Sequence, residues 1–494
     1  MKHRLHKTAA FAVILVGAVQ EGYAQRPHPD PLPVTVVDMT LFPRHTADRY
    51  LTAGPTVYVA ASGQDAGDGS AAEPVATIGR ALERLAETNG SRIVIAGGTY
   101  AEGAPDEFRA LVIDRDGTVL QAAPGQQVVI RPSAAHINYG LDILASGVTV
   151  QGISFEGFRE AAVTIGVQGR TLRDIVLADC RIEMLRGGDG IGIYPDHRGS
   201  GQPVVDGVLF ENVSVVDALN AITVGSGPAR NLAFRGIGIR NFATASGNSG
   251  ADAIAIENGD NVLINGAEIS GAEADGIDLK VSRASVINAH VHHVQRNGIK
   301  LWAGGEIINS LVHDTGADAA IVLEGNPDAA VRYRIVNTVV AFHNRNGGES
   351  YALTCGYDTP VARVALEIVN SVFYRNTGGL ALSAGTEAVI ANSLFAGTRN
   401  HVVLEYGIGG REGQILGADG VSALSRAGLA SANLPFDTDP RFAQPATNTL
   451  EGFALTASSP LVDAGLDGPA GLLVDLAGRA RPVRTIDIGS QERP

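Results

Sequence analysis

The stretch ADGIDLKVSRASVINAHVHHVQRNGIKLWAGG, residues 274–305, holds two near copies of one phrase, ADGIDLK and NGIKLW. The phrase also recurs on either side. DAIAIEN begins at Asp252, DGIDLKV at Asp275, NGIKLWA at Asn297 and DAAIVLE at Asp318, at spacings of 23, 22 and 21 residues. Looser copies, DGIGIYP from Asp189 and NAITVGS from Asn220, precede them. A second register runs through Asn265, Asn288, Asn309, Asn337, Asn370 and Asn392, each followed by a small residue and, in most copies, a short β-rich run. Asparagine tolerates turn geometry, and stacked side-chain amides hydrogen-bond along a ladder.

Short alternating segments without amphipathic helices between them read as strands. Units of this length cannot bury a face alone, so they stack as a solenoid. The expected fold is all-β, a single-stranded parallel β-helix, with extra loops at 195–204 and 325–333. Open solenoid ends expose strand edges and need covers. Residues 76–88, ATIGRALERLAET, form the one clear amphipathic helix, with Ile78, Ala81, Leu82 and Leu85 at helical spacing. This helix is expected to cap the N-terminal end. The opening resembles that of many secreted right-handed β-helix proteins, and SSPLVDAG…DIGSQE resembles a common tail of that group. The expected division is a signal peptide over 1–24, a linker over 25–52, the right-handed β-helix over 53–410, and C-terminal rungs and cap over 411–494.

Lys2, Arg4 and Lys7 precede the short apolar run TAAFAVILVGAV, and Gly22 and Ala24 supply small residues before Gln25. That pattern reads as a secretory signal cleaved near Ala24–Gln25, with export to the periplasm or beyond. No later stretch approaches ~20 apolar residues, so no membrane anchor is expected. The net charge of −14 argues against a nucleic-acid partner, whose phosphates need a basic face. An acidic polymer would also be repelled unless a cation or a local basic patch bridged the two. Cys180 and Cys355 are too few for a disulfide framework. A monomer is expected.

Within each phrase the third and fifth residues are aliphatic and point inward; the fourth and sixth then point outward. One outer column reads Thr223, Ala255, Asp278, Lys300, Ile321. Its neighbour reads Tyr194, Gly225, Glu257, Lys280, Trp302, Leu323, and the phrase-opening residues form a third: Asp189, Asn220, Asp252, Asp275, Asn297, Asp318. Asp252, Asp275, Asp278 and Glu257 thus share one face with Lys280, Lys300 and Trp302. Oxygen-only ligands suit Ca²⁺. The bland alternatives are turn caps in the first column and an Asp278–Lys300 surface ion pair worth ~0–1 kcal/mol.

A metal held by carboxylates beside a lysine suits β-elimination on a uronic acid. A bound cation stabilises charge developing beside the substrate carboxylate, and an amine whose free pKa is about 10.4 becomes a useful base only where nearby positive charge lowers that value and leaves it neutral. The segment 250–305 resembles polysaccharide lyase family nine, the calcium-dependent pectate lyases. That family carries NADGF, ADDGWDL and NGFKL on consecutive rungs, where this chain reads GADAIA, EADGIDL and NGIKLW. The resemblance implies Asp252, Asp275 and Asp278 as Ca²⁺ ligands and Lys300 as the catalytic base. Lys280 falls outside that set. The family's paired Asp-Asp is Ala274-Asp275 here, so one ligand is missing, with Glu273 or Glu257 as its candidate replacement.

Lys280, Trp302, Tyr194, Arg332 and Arg334 are expected to contact an acidic polysaccharide, together with Asp196, His197 and Arg198 of the long loop. His290, His292, His293 and His313 attract attention as metal ligands, but the sequence offers no third partner, and a polar stack is the default. Cys180 occupies the turn slot that later holds asparagine and is expected to be buried and structural. Two rivals remain open: a glycosidase built on Asp252, Asp275 and Glu257, with carboxylates ~5–9.5 Å apart, and a non-catalytic carbohydrate-binding β-helix.

Overall fold

In the computed structural model the chain is a right-handed parallel β-helix. The structure describes residues 37–45, 55–88, 91–184, 188–194, 204–225, 227–240, 251–316, 319–326, 329–343, 350–356, 363–383, 386–404, 414–416, 430–431, 433–435, 437–466, 474–481 and 485–493. The expected signal and its cleavage point, the loop residues Asp196, His197 and Arg198, and Asp318 lie outside these. No described helix is long and apolar enough to cross a membrane.

Each rung contributes one strand to each of three parallel sheets. The first contains Asp189–Ile193, Asn220–Val224, Ile277–Val281, Ile299–Leu301 and Ala319–Leu323. The second contains Ala284–Ile287, Gly305–Ile308 and Val331–Val336, and the third His290–His292, Leu311–His313 and Val339–Ala341. One long strand, Ile254–Ser270, bends through all three.

Alternation explains the interior. Ile254, Ile256, Ile277, Leu279, Ile299, Leu301, Ile321 and Leu323 are all at most 1% exposed and stack in two inward columns. The glycine of each DGI or NGI phrase is forced by close approach. A Cβ on Gly276 would lie 2.7 Å from the carbonyl oxygen of Gly298, and one on Gly298 would lie 2.9 Å from that of Ala320.

The asparagine ladder forms in two stretches, and Asn265 stands one residue before the turn slot, which Gly266 (φ 78°) fills in its rung. Asn288, Asn309, Asn337, Asn370 and Asn392 all take left-handed φ between 49° and 54°, a conformation asparagine tolerates better than most residues. Nδ2 of Asn288 donates to Oδ1 of Asn265 at 2.9 Å, and Nδ2 of Asn392 donates to Oδ1 of Asn370 at 2.8 Å. The ladder breaks between Asn309 and Asn337. There the Arg481 guanidinium donates to Asn309 Oδ1, while Asn337 donates to the carbonyls of Asp487 and Gly489. In the earlier rungs the slot belongs to Asp179 (φ 54°), not to Cys180. Cys180 follows it, buried, with burial pushing its thiol up to about 12.

The helix Ile78–Thr88 buries Ile78, Ala81 and Leu85 against the first rungs. Ile78 N–H donates to Glu102 Oε1 at 2.7 Å, which satisfies one of its open N-terminal donors. At the other end, residues 437–493 add no stacked rung among those described. Phe442, Phe453, Leu455, Leu461 and Ile488 instead pack sideways on the third sheet against Leu311, Val339, Phe342, Val372 and Leu394.

Candidate functional site

The first sheet places the acidic residues one rung apart. Asp275 follows Asp252 in the phrase-opening column, and Asp278 pairs in register with Ala255 on one side and Lys300 on the other. One carboxylate oxygen from each of Asp252, Asp275 and Asp278 lies within 4.8 Å of the others. The hydrogen bonds orient them. Asp252 Oδ1 accepts the Asp275 N–H at 2.9 Å, and Asp275 Oδ1 accepts both the N–H (3.0 Å) and Nδ2 (2.8 Å) of Asn297. Asp278 Oδ1 accepts the Trp302 indole N–H at 2.7 Å.

Gathering three carboxylates away from water is costly. Burial, reinforced by the charges of Asp275 and Asp278, pushes Asp252 up to about 7 against the opposing Asp275 N–H and Lys280. Burial also raises Asp278, although Lys280, Trp302 and Lys300 all pull the other way. The donor set fits a hard cation: three oxygens and no nitrogen or sulfur, with the rest of the 6–8 oxygens Ca²⁺ takes left to water or substrate.

The expected fourth ligand does not join. Glu257 lies outside the cluster, its Oε2 2.6 Å from Lys280 Nζ. Ala274 is 1% exposed and offers no side-chain oxygen. Lys280 also lies 3.7 Å from Asp278 Oδ2. Burial works against its charge, but Glu257, Asp278 and Asp252 outweigh that and hold it above the ordinary lysine range. Lys280 is therefore a counter-charge to the acidic cluster.

Trp302 joins both columns. Lys300 Nζ is 4.4 Å and Lys280 Nζ 5.5 Å from its ring centroids, within cation–π range. The ring expected to stack on a sugar is thus engaged by two ammonium groups and by Asp278. Toward the N-terminus, Thr223 and Ala255 leave a low floor in the Asp278 column, and Gly225 does so in the other beyond Glu257. Tyr194 closes it, lying against Gly192 and Gly225 and donating its hydroxyl to Asp189. Four rung steps separate Tyr194 from Trp302, about 19 Å at the usual strand spacing.

Three sequence expectations are corrected. The rung after Lys300 places Val322, not Ile321, in its column, and Leu323 pairs with inward Leu301 rather than following Trp302. The rung opens at Ala319 and not at Asp318, and a one-residue shift in register exchanges the two faces of a strand. Arg332 and Arg334 lie on the second sheet, away from the cluster, and their charges are taken up within the chain. Arg332 and Arg334 both pair with Glu367, and Arg334 also lies 3.5 Å from Glu306. The histidines do have a carboxylate partner, Glu268, which lies in register with His290 one rung earlier. The signal was its 22-residue offset from His290, one repeat unit.

Residues 166–336 match the family of the right handed beta helix region. A comparison with curated proteins finds no match. Among solved structures, the chain is similar to pectate lyase Pel9A at 15% identity, covering 89% of this chain and 96% of that one with a TM-score of 0.43. It is similar to XylC in complex with xylose at 11% identity, covering 89% and 99%, with a TM-score of 0.43. It is also similar to the A-module of mannuronan C-5 epimerase AlgE6 of Azotobacter vinelandii at 11% identity, covering 74% and 94%, with a TM-score of 0.42.

Proposed function

We propose that the outer face of the first sheet is the active site of a polysaccharide lyase that cleaves a uronic-acid polymer by β-elimination, of the family-nine type the rung motifs resemble. The observation that carries this reading is the register of Asp278 with Lys300, which sets an amine one rung beyond a converging trio of carboxylates. Ca²⁺ bound by Asp252, Asp275 and Asp278 would neutralise a substrate carboxylate and the charge that builds beside it.

The chain's own residues do the rest. Lys300, as the neutral amine, takes the proton from the carbon next to the substrate carboxylate. The released electron pair forms a carbon–carbon double bond, and the glycosidic oxygen on the adjacent carbon leaves with its bonding pair and is protonated by solvent. Asn297 and Trp302 each hold one oxygen of Asp275 and Asp278, fixing how the carboxylates face the substrate. The floor from Ala255 to Tyr194 gives an extended chain room along the rungs. Retaining glycosidases set their carboxyl groups ~5–5.5 Å apart and inverting ones farther; three carboxylate oxygens within 4.8 Å of one another, each carboxylate held by an N–H donor, fit cation binding better.

The test is a panel of polyuronates incubated with the protein, with and without chelator, and read by ultraviolet absorbance. An unsaturated product that disappears with chelator and returns with Ca²⁺ is expected. Saturated products, or intact polymer throughout, would refute the proposal.

A further inference from the structure

On the third sheet, a second group of side chains is arranged around a carboxylate. The register pairs Glu268 with His290 and Ser270 with His292, and on the next rung His292 with His313. Val291, between the two histidines, is fully buried, so alternation turns His290 and His292 to the outer surface. Glu268 reaches both: its Oε2 is 2.8 Å from His290 Nδ1 and its Oε1 is 2.9 Å from His292 Nε2. The His290 and His292 rings stack with centroids 4.4 Å apart.

Each of these two rings is held from behind by another imidazole. His290 Nε2 lies 2.8 Å from His313 Nε2, and His313 Nδ1 lies 2.6 Å from Asp314 Oδ2. His292 Nδ1 lies 2.6 Å from His293 Nδ1. The run Asp314–His313–His290–Glu268–His292–His293 therefore makes five polar contacts, and four neutral imidazoles carry only four ring protons to fill them. Filling all five takes one further positive charge, either a proton on one ring or a bound cation. Both nitrogens that face Glu268 and both oxygens of that carboxylate meet where a cation would supply it.

We propose that Glu268, His290 and His292 form a binding site for a divalent late first-row transition metal of the zinc type, distinct from the carboxylate-only cluster of the first sheet. Two imidazoles and one carboxylate suit such ions rather than Ca²⁺. Three protein ligands with an open position left for water is a recognised zinc arrangement. The rear contacts from His313 and His293 are of the kind that fix the tautomer and aim of a ligating histidine. The Glu268 side chain is 54% exposed, which gives the ion a way in. Bound there, the ion would join two consecutive rungs at the edge of the region covered by the C-terminal segment, where Phe453 lies 5.0 Å from the His313 ring.

The experiment is a Co²⁺ titration of the full chain stripped of metal, followed by visible absorption, with Zn²⁺ as competitor. A saturable band that Zn²⁺ removes is expected in the wild type and in Asp278→Asn, which disables only the first-sheet cluster. In His290→Gln and His292→Gln the affinity should fall by at least the ~10–100-fold that loss of an outer-shell partner costs. Circular dichroism checks the fold of each variant; should His290→Gln not fold, His292→Gln and the more exposed Glu268→Gln carry the test. A wild type without a saturable band, a band lost in Asp278→Asn but kept in the histidine variants, or a histidine proton count showing an imidazolium where the metal is placed would each overturn the proposal.

Discussion

Lys300 stands one rung above Asp278 in the same outer column, yet its ammonium lies over Trp302, whose indole N–H is bonded to Asp278. Carboxylate, indole and amine form one linked unit, so a change at any of them is felt by the other two.

The two lysines of the repeat should separate in kinetics. Lys300→Ala is expected to fold normally and lose ~10²–10⁴-fold or more in turnover, the usual worth of a general base. Lys280→Ala, which removes the partner of Glu257, should mainly raise KM. Steady-state rates on a polyuronate that the wild type cleaves decide the matter. A dead Lys280→Ala beside an active Lys300→Ala would reverse the assignment.

Trp302→Phe keeps a smaller aromatic face for Lys300 and deletes the N–H that Asp278 accepts. That hydrogen bond is one of the influences lowering Asp278, so its loss favours the protonated carboxyl. The Ca²⁺ concentration giving half-maximal activity should rise by roughly the ~10–100-fold of a lost outer-shell contact, with maximal turnover much less affected. An unchanged Ca²⁺ requirement would show that the indole does not position Asp278.

Stability should depend on pH through Asp252. Its carboxyl titrates near 7 in the folded chain against an ordinary value of 3.8. The folded state therefore holds a proton that the unfolded state has released, and this contribution to stability is present below about pH 4 and lost as pH rises through 7. Glu492, raised to about 7 mainly by burial, acts in the same direction. In chelator, Tm should fall between pH 5 and pH 8 by at least a few degrees, roughly the effect of ~1 kcal/mol in a domain of a few hundred residues. Asp252→Asn should flatten part of that slope, and Ca²⁺ should raise Tm more at pH 8 than at pH 5. Thermal melts across that range provide the check.

Arg481→Met tests the C-terminal segment. The guanidinium pairs with Glu492 and donates to Asn309 and to the Gly489 carbonyl in a nearly dry setting. Removing one partner of a buried pair commonly costs ~3–5 kcal/mol. The loss should shrink at pH 5, where Glu492 becomes neutral. Urea denaturation at pH 8 and pH 5 measures both values; an equal and small loss at the two would place Arg481 outside the network that holds the segment down.

The rung repeat made the solenoid legible because inward Ile and Leu, the DGI and NGI glycines and the left-handed asparagines each recur once per turn. The Asp252–Asp275–Asp278 trio was legible for the same reason, since columns follow once the period is known. What escaped depended on loop lengths and side-chain reach. The rung after Lys300 opens at Ala319, one residue later than the phrase at Asp318 suggested, which turns Ile321 inward, and Arg332 and Arg334 looked available until Glu306 and Glu367 came beside them across the rungs. The engagement of Trp302 by two lysines has no sequence signature, because a ring's occupancy depends on rotamers rather than spacing. Glu268 was hidden by its plain context, AEIS, although it stands one period before His290.

The break in the asparagine ladder bears on the order in which the molecule is assembled. Stacked rungs touch only their neighbours, so a chain emerging from its N-terminus can add them one at a time at small entropic cost. The later asparagines depend on the C-terminal segment: Asn309 and Asn337 bond Arg481, Asp487 and Gly489, 150–172 residues later, and Asn370 and Asn392 bond Leu466 and Ala464. The middle of the spine must therefore wait for residues 464–489, and a molecule without them carries unsatisfied amides and a bare apolar strip along the third sheet. Such surfaces invite aggregation, so the final segment acts as a late-arriving clasp on which the soluble lifetime of the whole coil depends.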